Sequence, residues 1–205
     1  MRVAVVGGTG DFGLALARLL VAGGEDVVVG SRNAARAREV AEPVGASGAT
    51  NEEAVSGAGL VVLAVKADAA LDTATALARA IGRIPTLSVA SELVFSKSGV
   101  RPRPSEQSLA EAVAQILEGP VVAGLHSLAA STLAKGPADG DVLVCGDDDD
   151  AKRLALELAG KVVTGRALDA GPLASARALE GMTAVIVNLN RRDKGHAGLQ
   201  VTGLP

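Results

Sequence analysis

The chain has 205 residues and a formal net charge of -3, from 20 Lys and Arg against 23 Asp and Glu. This length allows one α/β domain with a modest extension, and the lack of a long basic run argues against a general nucleic-acid-binding protein. Hydrophobic residues make up 48% of the chain but aromatic residues only 1%, so we expect a core built from Val, Leu, Ala and Ile.

Features of secreted and membrane proteins are missing from the sequence. Met1 and Arg2 lead directly into a strand-like run, without the apolar stretch and cleavage site of a signal peptide. No apolar run reaches about 18 residues, the length that a membrane-spanning helix needs. The one cysteine, Cys145, cannot form an internal disulfide, and we expect it to be a small buried residue. We therefore expect a cytoplasmic protein with neither a membrane nor a nucleic acid as partner.

Strand-like and helix-like stretches alternate along the chain. Strands or extended pieces are predicted at residues 2–6, 26–30, 47–49, 60–65, 86–90, 121–125, 141–145 and 162–168. Helices are predicted at residues 10–22, 34–41, 52–56, 67–81, 108–117, 149–158 and 173–190. Pro102 and Pro104 predict an irregular segment before the helix at 108–117. Alternation this regular predicts an α/β fold of the Rossmann type, a doubly wound parallel sheet with a small C-terminal helical extension.

A glycine pattern stands between the first predicted strand and the first predicted helix. The pattern is G-x-G-x-x-G, formed by Gly8, Thr9, Gly10, Asp11, Phe12 and Gly13. In this context it predicts a dinucleotide-binding loop, whose alternative is a glycine-rich turn without a ligand. Gly8 allows the tight turn, Gly10 lets a pyrophosphate approach the backbone, and Gly13 permits close packing of helix on strand. The N–H groups at the start of the helix would then face the phosphates.

The end of the second predicted strand distinguishes between the two nicotinamide dinucleotides. Domains that prefer NAD usually carry Asp or Glu about 20 residues after the loop, but this chain has Ser31 and Arg32 there. A hydroxyl and a guanidinium can donate charge-assisted hydrogen bonds to a 2′-phosphate. Arg36 could close the other side, and Arg38 is a weaker candidate. We therefore predict an NADP-binding Rossmann domain at residues 1–140, followed by a small C-terminal α/β extension at residues 141–205.

Few side chains are available for acid–base chemistry. The chain contains no Tyr and no Trp, which excludes the Tyr/Lys mechanism of short-chain dehydrogenases. His126 follows the predicted strand at 121–125, where it could donate to a substrate oxygen or be a loop residue bonded to the backbone. His196 is expected on the surface. The four Asp residues at 147–150 precede a predicted helix, so we expect them to cap it and expect no metal site.

The residues alone leave the reaction open. They are compatible with an NADPH-dependent reductase of a flavin or of a small carbonyl substrate. They are equally compatible with a non-catalytic NADP-binding redox sensor, a different class of protein.

Several stretches together resemble the F420-dependent NADP oxidoreductases over nearly the whole chain. These stretches are MRVAVVGGTGDFG, VVVGSR, GLHSLAA, VCGDDDD, LDAGPL and LEGMTAVIVNLN. The resemblance implies a homodimer that transfers a hydride between NADP(H) and the deazaflavin ring of coenzyme F420. Such a reaction depends on the alignment of two cofactors more than on a protein acid.

The resemblance also implies roles for individual residues. It implies that Thr9, Ser31, Arg32 and Arg36 hold the NADP phosphates, and that His126 and Leu128 lie near the stacked rings as the catalytic pair. Val65 and Lys66, at the end of the fourth predicted strand, are further candidates for cofactor contact. A solvated charge is the alternative for Lys66.

Overall fold

The computed structural model describes residues 1–204, which form an eight-stranded sheet covered by helices and a separate two-stranded hairpin. The strands are β1 (Arg2–Val6), β2 (Asp26–Ser31), β3 (Ser47–Thr50), β4 (Leu60–Leu63), β5 (Thr86–Ser88), β6 (Leu93–Ser96), β7 (Gly99–Pro102), β8 (Val121–Gly124), β9 (Val142–Gly146) and β10 (Ala167–Asp169). The helices are α1 (Asp11–Ala22), α2 (Ala34–Ala41), α3 (Asn51–Val55), α4 (Ala67–Ile81), α5 (Leu109–Ala114), α6 (Ala130–Leu133), α7 (Asp149–Gly160) and α8 (Ala176–Asp193). This confirms the Rossmann-type α/β fold.

The sheet changes winding direction at its centre. Its strand order is β3-β2-β1-β4-β5-β8-β9-β10, so the chain moves outward to one side through β2 and to the other through β4. The six strands from β3 to β8 in this order pair in parallel. Their carboxyl ends therefore lie along one edge, and the β1–β4 reversal is where open α/β sheets bind ligands.

One strand pair departs from the predicted parallel sheet. Strand β9 pairs antiparallel with β8, while β10 continues parallel to β9. The connection from β8 to β9 contains the four-residue helix α6, which packs on α1, and the chain enters β9 from the edge at which it left β8. The long extended piece predicted at 162–168 is reduced to β10, with an isolated bridge between Ala138 and Val163 before it.

The segment predicted to be irregular contains a hairpin. Strands β6 and β7 pair antiparallel, with Ser96 opposite Gly99 at the turn and Leu93 opposite Pro102 at the open end. Gly99 has a φ of 132°, which a side-chain-bearing residue would rarely adopt. Because Pro102 ends its strand, its missing N–H removes no ladder bond from the middle of the hairpin. The prolines therefore limit the hairpin without preventing it.

Apolar side chains fill a layer on each face of the sheet. Val3 and Val5 of β1 pack in one layer with Leu16 of α1, and Val6 packs in the other with Ile81 of α4. Both layers consist mainly of Val, Leu and Ala, as the composition predicted. Phe95, in the hairpin, is 65% exposed.

Helix α8 ties the C-terminal part of the chain to the rest. The buried carboxylate of Glu180 accepts hydrogen bonds from the Leu109 and Ala110 amides, each at 3.1 Å, at the start of α5. Burial raises the pKa of Glu180, and the two amides act against this shift. Within residues 1–204, no helix is both long and apolar enough to cross a membrane.

The Glu180 contact predicts a specific loss of stability. Glu180→Gln replaces one acceptor oxygen by an NH₂ group facing a backbone donor, so the free energy of unfolding should fall by about 1 to 3 kcal/mol in urea titrations. Glu157→Gln is the matched control, since Glu157 pairs with Arg153 at 2.9 Å on the surface. It should change the unfolding free energy by less than about 0.5 kcal/mol. Equal effects of the two substitutions would contradict the role of Glu180.

Candidate functional site

The sequence-predicted site residues lie along one edge of the sheet. The glycine loop follows β1, Ser31 ends β2, Val65 follows β4, and His126 follows β8. Because these strands are parallel, all four positions are at carboxyl ends. The structure therefore brings the predicted residues together at the edge that typically binds ligands.

The glycine loop is fixed from two sides. Gly7, which precedes the predicted motif, has a φ of 72°, and its amide donates to Asn51 Oδ1 at 3.2 Å. A Cβ placed on Gly13 would lie 2.6 Å from Gly8 Cα, so only glycine permits this approach of α1 to the loop. Neither Gly7 nor Asn51 was predicted from the sequence. The capping box of Thr50 and Glu53 marks the start of α3 but gives no sign of the contact that Asn51 makes with the loop.

The start of α1 presents free backbone donors. Within residues 1–204, no protein acceptor bonds the amides of Thr9, Asp11, Phe12 and Gly13, and Gly10 at the N-cap supplies no side chain to cap the helix. A Cβ on Gly10 would meet only Gly7 O, at 3.9 Å, so the approach to these amides is open. Free N–H groups together with the helix dipole favour an anion at this position.

The end of β2 is rich in donors and has no carboxylate. Ser31 Oγ accepts from Asn33 N at 3.2 Å, and Asn33 Oδ1 accepts from Arg36 N at 3.1 Å, which begins α2. Arg32 is exposed and forms no ion pair within the described part of the chain. Arg36 lies on the surface beside Glu39, with Nη1 3.0 Å from Oε2. Arg32 is therefore the freer of the two guanidinium groups.

The segment after β4 contacts the glycine loop. A Cβ on Gly7 would lie 2.4 Å from Val65 Cγ1, so Val65 packs directly on the turn. Lys66 occupies the N-cap of α4, where it is exposed and makes no capping bond. Val65 therefore supports the loop, whereas the ammonium group of Lys66 has no hydrogen bond or ion pair with the residues that the structure describes.

His126 is a buried imidazole without hydrogen-bond partners. It is 5% exposed, and neither ring nitrogen has a partner within the described residues. Burial lowers the pKa of His126 to about 4, and the nearby backbone of Ala90 opposes part of this shift. The residue before it, Leu125, has a φ of 66°, an uncommon conformation for a bulky side chain. Such local strain is typical of functional sites.

Other hydroxyl groups surround this position. Thr183 Oγ1 of α8 donates to His126 O at 2.9 Å, so Ser91 Oγ, 2.7 Å from Thr183 Oγ1, must be the donor in their shared bond. Ser88 and Ser127 are buried, and their Oγ atoms have no partner within residues 1–204. Unpaired buried polar atoms are costly, and several in one region indicate a missing ligand or ordered water. No sequence pattern points to Ser88 or Thr183.

Leu128 lines a cavity that we call the tail cavity. It has a volume of about 280 Å³ and is lined by residues 127–129, 132, 135–139 and 196–198. The cavity thus lies between the segment after β8 and residues 194–204, the C-terminal tail. Leu128 and Phe12 both pack, half-buried, on the same core layer as α1. The apolar side chain of Leu128, two residues after His126 in the sequence, therefore borders the tail cavity.

The remaining polar candidates are structural. Asp148 Oδ1 accepts from Ala151 N at 2.8 Å, which confirms the capping of α7, and Asp147 Oδ1 accepts from Leu173 N at 2.9 Å. Cys145 is fully buried, as expected, and burial raises the pKa of its thiol to about 11. A thiol with such a pKa is a poor nucleophile at neutral pH.

Comparisons with known proteins identify the family to which the chain is similar. Residues 2–91 match the family model described as NADP oxidoreductase, coenzyme F420-dependent. The F420-dependent NADP reductase of Methanothermobacter marburgensis is 37% identical to this chain, and the match covers all of this chain and 100% of the relative. The F420-dependent NADP reductase of Methanocaldococcus jannaschii is 30% identical, and the match covers all of this chain and 99% of the relative. A solved structure from Arthrobacter sp. FB24, provisionally assigned as an F420-dependent NADP reductase, has a TM-score of 0.84 at 24% identity. It covers 99% of this chain and 100% of its own. The similarity to the Arthrobacter structure shows a shared fold.

Burial of His126 predicts how stability depends on pH. The imidazole is neutral in the folded protein down to a pKa of about 4, whereas in the unfolded chain it binds a proton below about 6.5. The wild type should therefore lose about 3 kcal/mol of unfolding free energy through this group as the pH falls from 7 to 4. Urea titrations across this range should show a smaller loss for His126→Asn.

The matched control is His196→Gln, which keeps His126 and should therefore retain the loss. Identical pH dependence in wild type and His126→Asn would show that His126 is not held neutral by burial.

Proposed function

Because the chain belongs to the family of F420-dependent NADP reductases, we propose that it transfers a hydride between NADP(H) and coenzyme F420. The observation that carries this proposal within the structure is the set of free amides at the start of α1, combined with the unpaired Arg32 at the end of β2. These two features are the ones that an NADP-binding Rossmann site requires. The similarity to reductases of this family over the full length of the chain supports coenzyme F420 as the second substrate.

The loop residues fit a pyrophosphate. The amides of Thr9, Asp11, Phe12 and Gly13 are free to donate, and Gly10 leaves the space in front of them open. Asn51 and Val65 hold the loop in place from behind. We propose that Gly8, Thr9, Gly10, Asp11, Phe12 and Gly13 bind the pyrophosphate mainly through backbone N–H groups.

The end of β2 fits the additional phosphate of NADP. Ser31 can donate its hydroxyl proton, and Arg32 has no internal carboxylate partner to displace. Arg36 would first have to exchange Glu39 for the phosphate, a small cost for an exposed pair. We therefore assign the main phosphate contact to Arg32 and a secondary one to Arg36. Lys66, exposed at the N-cap of α4, would add positive charge at the same edge.

The region around His126 fits the two reacting rings. Ser31 ends β2 and His126 follows β8, four strands further along the sheet, so they are separated by about 19 Å. An extended dinucleotide can span such a distance along the edge. When bound, the nicotinamide supplies or accepts the hydride, in the balance NADPH + H⁺ + F420 to NADP⁺ + reduced F420.

The protein contributes positioning and an apolar setting to this reaction. His126 stays neutral at physiological pH, so its free ring nitrogens can hydrogen-bond a ligand without adding charge. Leu128 gives an apolar wall beside the tail cavity and helps to exclude water. Hydride transfer needs reacting atoms held close together in a dry site, and a charged acid is not required.

The proposal also covers the division of the chain between the two substrates, the oligomeric state and the cellular location. We propose that residues 1–140 bind NADP and that residues 141–205 complete the second substrate site through the C-terminal tail. We also propose a homodimer, which the exposed side chains of Phe95 and Val185, 65% and 57% accessible on the hairpin and α8, support. A cytoplasmic location is consistent with the single, buried cysteine.

An absorbance assay tests the reaction. Mixing the protein with NADPH and oxidised F420 should abolish the visible absorbance band of oxidised F420, and NADH at equal concentration should act far more slowly. Turnover with other flavins or small carbonyl compounds but not with F420 would reject the assigned second substrate. Tight NADPH binding without turnover on any acceptor would reject the enzymatic function.

The assignment of Arg32 predicts a loss of NADPH affinity. Arg32→Glu removes charge-assisted donors and adds repulsion, so NADPH binding should weaken by about 1 to 3 kcal/mol, or roughly 5- to 150-fold in Kd. Calorimetry or fluorescence titration measures this change. NADH binding should change far less, because NADH lacks the 2′-phosphate.

Arg79→Glu is the control, since Arg79 is an exposed arginine in the last turn of α4. It makes the same change in charge and should leave NADPH affinity unaltered. Unchanged NADPH affinity in Arg32→Glu would show that this guanidinium does not recognise the phosphate.

A further inference from the structure

Two basic side chains meet at the tail cavity. Lys135 Nζ lies 3.0 Å from His196 Nε2, and both residues line the cavity. Both are exposed, whereas Ser127 of the same cavity is 5% exposed, so the pair lies at the outer end. Within residues 1–204, neither of the two has a carboxylate at ion-pair distance. Asp139, which also lines the cavity, accepts instead from Thr164 Oγ1 at 3.2 Å.

The chemistry of this contact favours an anion. An ammonium group can only donate, so Nε2 of His196 must accept and the ring proton must be on Nδ1. Within the described residues, the ammonium group of Lys135 therefore bonds an imidazole nitrogen and forms no ion pair. A phosphate or carboxylate could accept a charge-assisted hydrogen bond from Lys135 and a second bond from a ring N–H of His196, in place of the single bond between the two side chains.

The C-terminal tail keeps His196 in place independently of Lys135. Asn190 Oδ1 accepts from Ala197 N at 2.5 Å, directly after His196. Further along the tail, Asp141 N donates to Leu199 O at 2.6 Å, and Asp141 Oδ2 accepts from Val201 N at 2.8 Å. Hydrogen bonds from the Arg166 and Val201 amides and from the Arg166 side chain lower the pKa of Asp141 to about 2. The contact of His196 with Lys135 is thus not needed to hold the tail.

A second observation shows that the cavity is suited to a ligand. Ser127 lines it, is almost completely buried, and its Oγ has no hydrogen-bond partner within the described chain. A buried hydroxyl without a partner costs stability, and a polar group of a ligand would supply the missing bond. The cavity therefore combines a polar interior, an apolar wall at Leu128 and a basic outer end.

We propose that Lys135 and His196 bind an anionic group of the chain attached to the F420 ring, while the ring lies against Leu128. This inference rests on the proposed function. F420 carries phosphodiester and carboxylate groups on that chain, and both are acceptors of the kind that the pair can bind. Lys135 and His196 therefore determine affinity for F420 and take no part in hydride transfer.

Another basic cluster fits this role less well. Lys97, Arg191 and Arg192 line a cleft between the hairpin turn and α8. Arg192 is already paired with Asp193 at 3.1 Å, and no buried unpaired polar atom belongs to that cleft. Lys97 therefore serves as a control for general surface charge.

Steady-state kinetics with two acceptors test the proposal. The acceptors are F420 and the deazaflavin alcohol that has the same ring without the anionic chain. Lys135→Gln and His196→Gln should each raise the KM for F420 by about tenfold, the value expected for one lost charge-assisted bond, with kcat nearly unchanged. The KM for the deazaflavin alcohol and for NADPH should stay the same. Lys135→Arg should restore most of the affinity, and Lys97→Gln should have no effect.

Each other outcome counts against the proposal. An unchanged KM for F420 in both Gln variants, with wild-type turnover intact, would overturn it while leaving the proposed function standing. A rise in the KM for NADPH would show that Lys135 and His196 contact NADPH and not F420. An equal effect of Lys97→Gln on the KM for F420 would show that general surface charge explains the change. Failure of the wild type to reduce F420 would overturn both the proposed function and this inference.

Discussion

The site depends on keeping a row of backbone donors unpaired while fixing them in space. Gly7 turns the chain with a positive φ, Asn51 bonds its amide, and Gly13 lets α1 approach the loop within the contact distance of Gly8. Unsatisfied N–H groups are normally capped by a side chain, but Gly10 has none to offer. These unpaired N–H groups therefore cost stability, and an anion bound at the start of α1 can remove that cost by accepting their hydrogen bonds.

A second group of unpaired polar atoms lies further along the same edge. His126, Ser88 and Ser127 are buried and have no hydrogen-bond partner among residues 1–204, and burial keeps the imidazole neutral. A neutral, dry environment suits hydride transfer, because no charge has to be carried by the protein during the reaction. The strained Leu125 and the bond from Thr183 to the His126 carbonyl keep this arrangement in place.

Local sequence patterns were sufficient to predict the fold class, the glycine loop and the donors at the end of β2. Each of these features depends on neighbouring residues: an alternation of strand and helix, a loop of six residues, or the last residues of one strand. The contacts of Asn51 with Gly7 and of Thr183 with His126 join residues 44 and 57 positions apart, so periodicity and spacing contain no trace of them. The antiparallel direction of β9 was missed for a related reason, since it depends on the path of the connection from β8, which local patterns do not contain. The hairpin was missed because two prolines outweighed the weaker signal of its strands.

The distribution of charge gives the two ends of the site different tasks. The chain is acidic overall, yet exposed cations without carboxylate partners occur at Arg32, beyond β2, and at Lys135, beyond β8. Both proposed substrates are anionic and must bring their rings into contact, so their charged groups would repel each other if they were bound close together. The ends of β2 and β8 are about 19 Å apart, the span of four strand spacings, which is more than the screening length of about 8 Å in physiological salt. Arg32 and Lys135, which follow different strands of the sheet, can therefore each hold one anion away from the reacting rings, which leaves the ring site to neutral His126 and apolar Leu128.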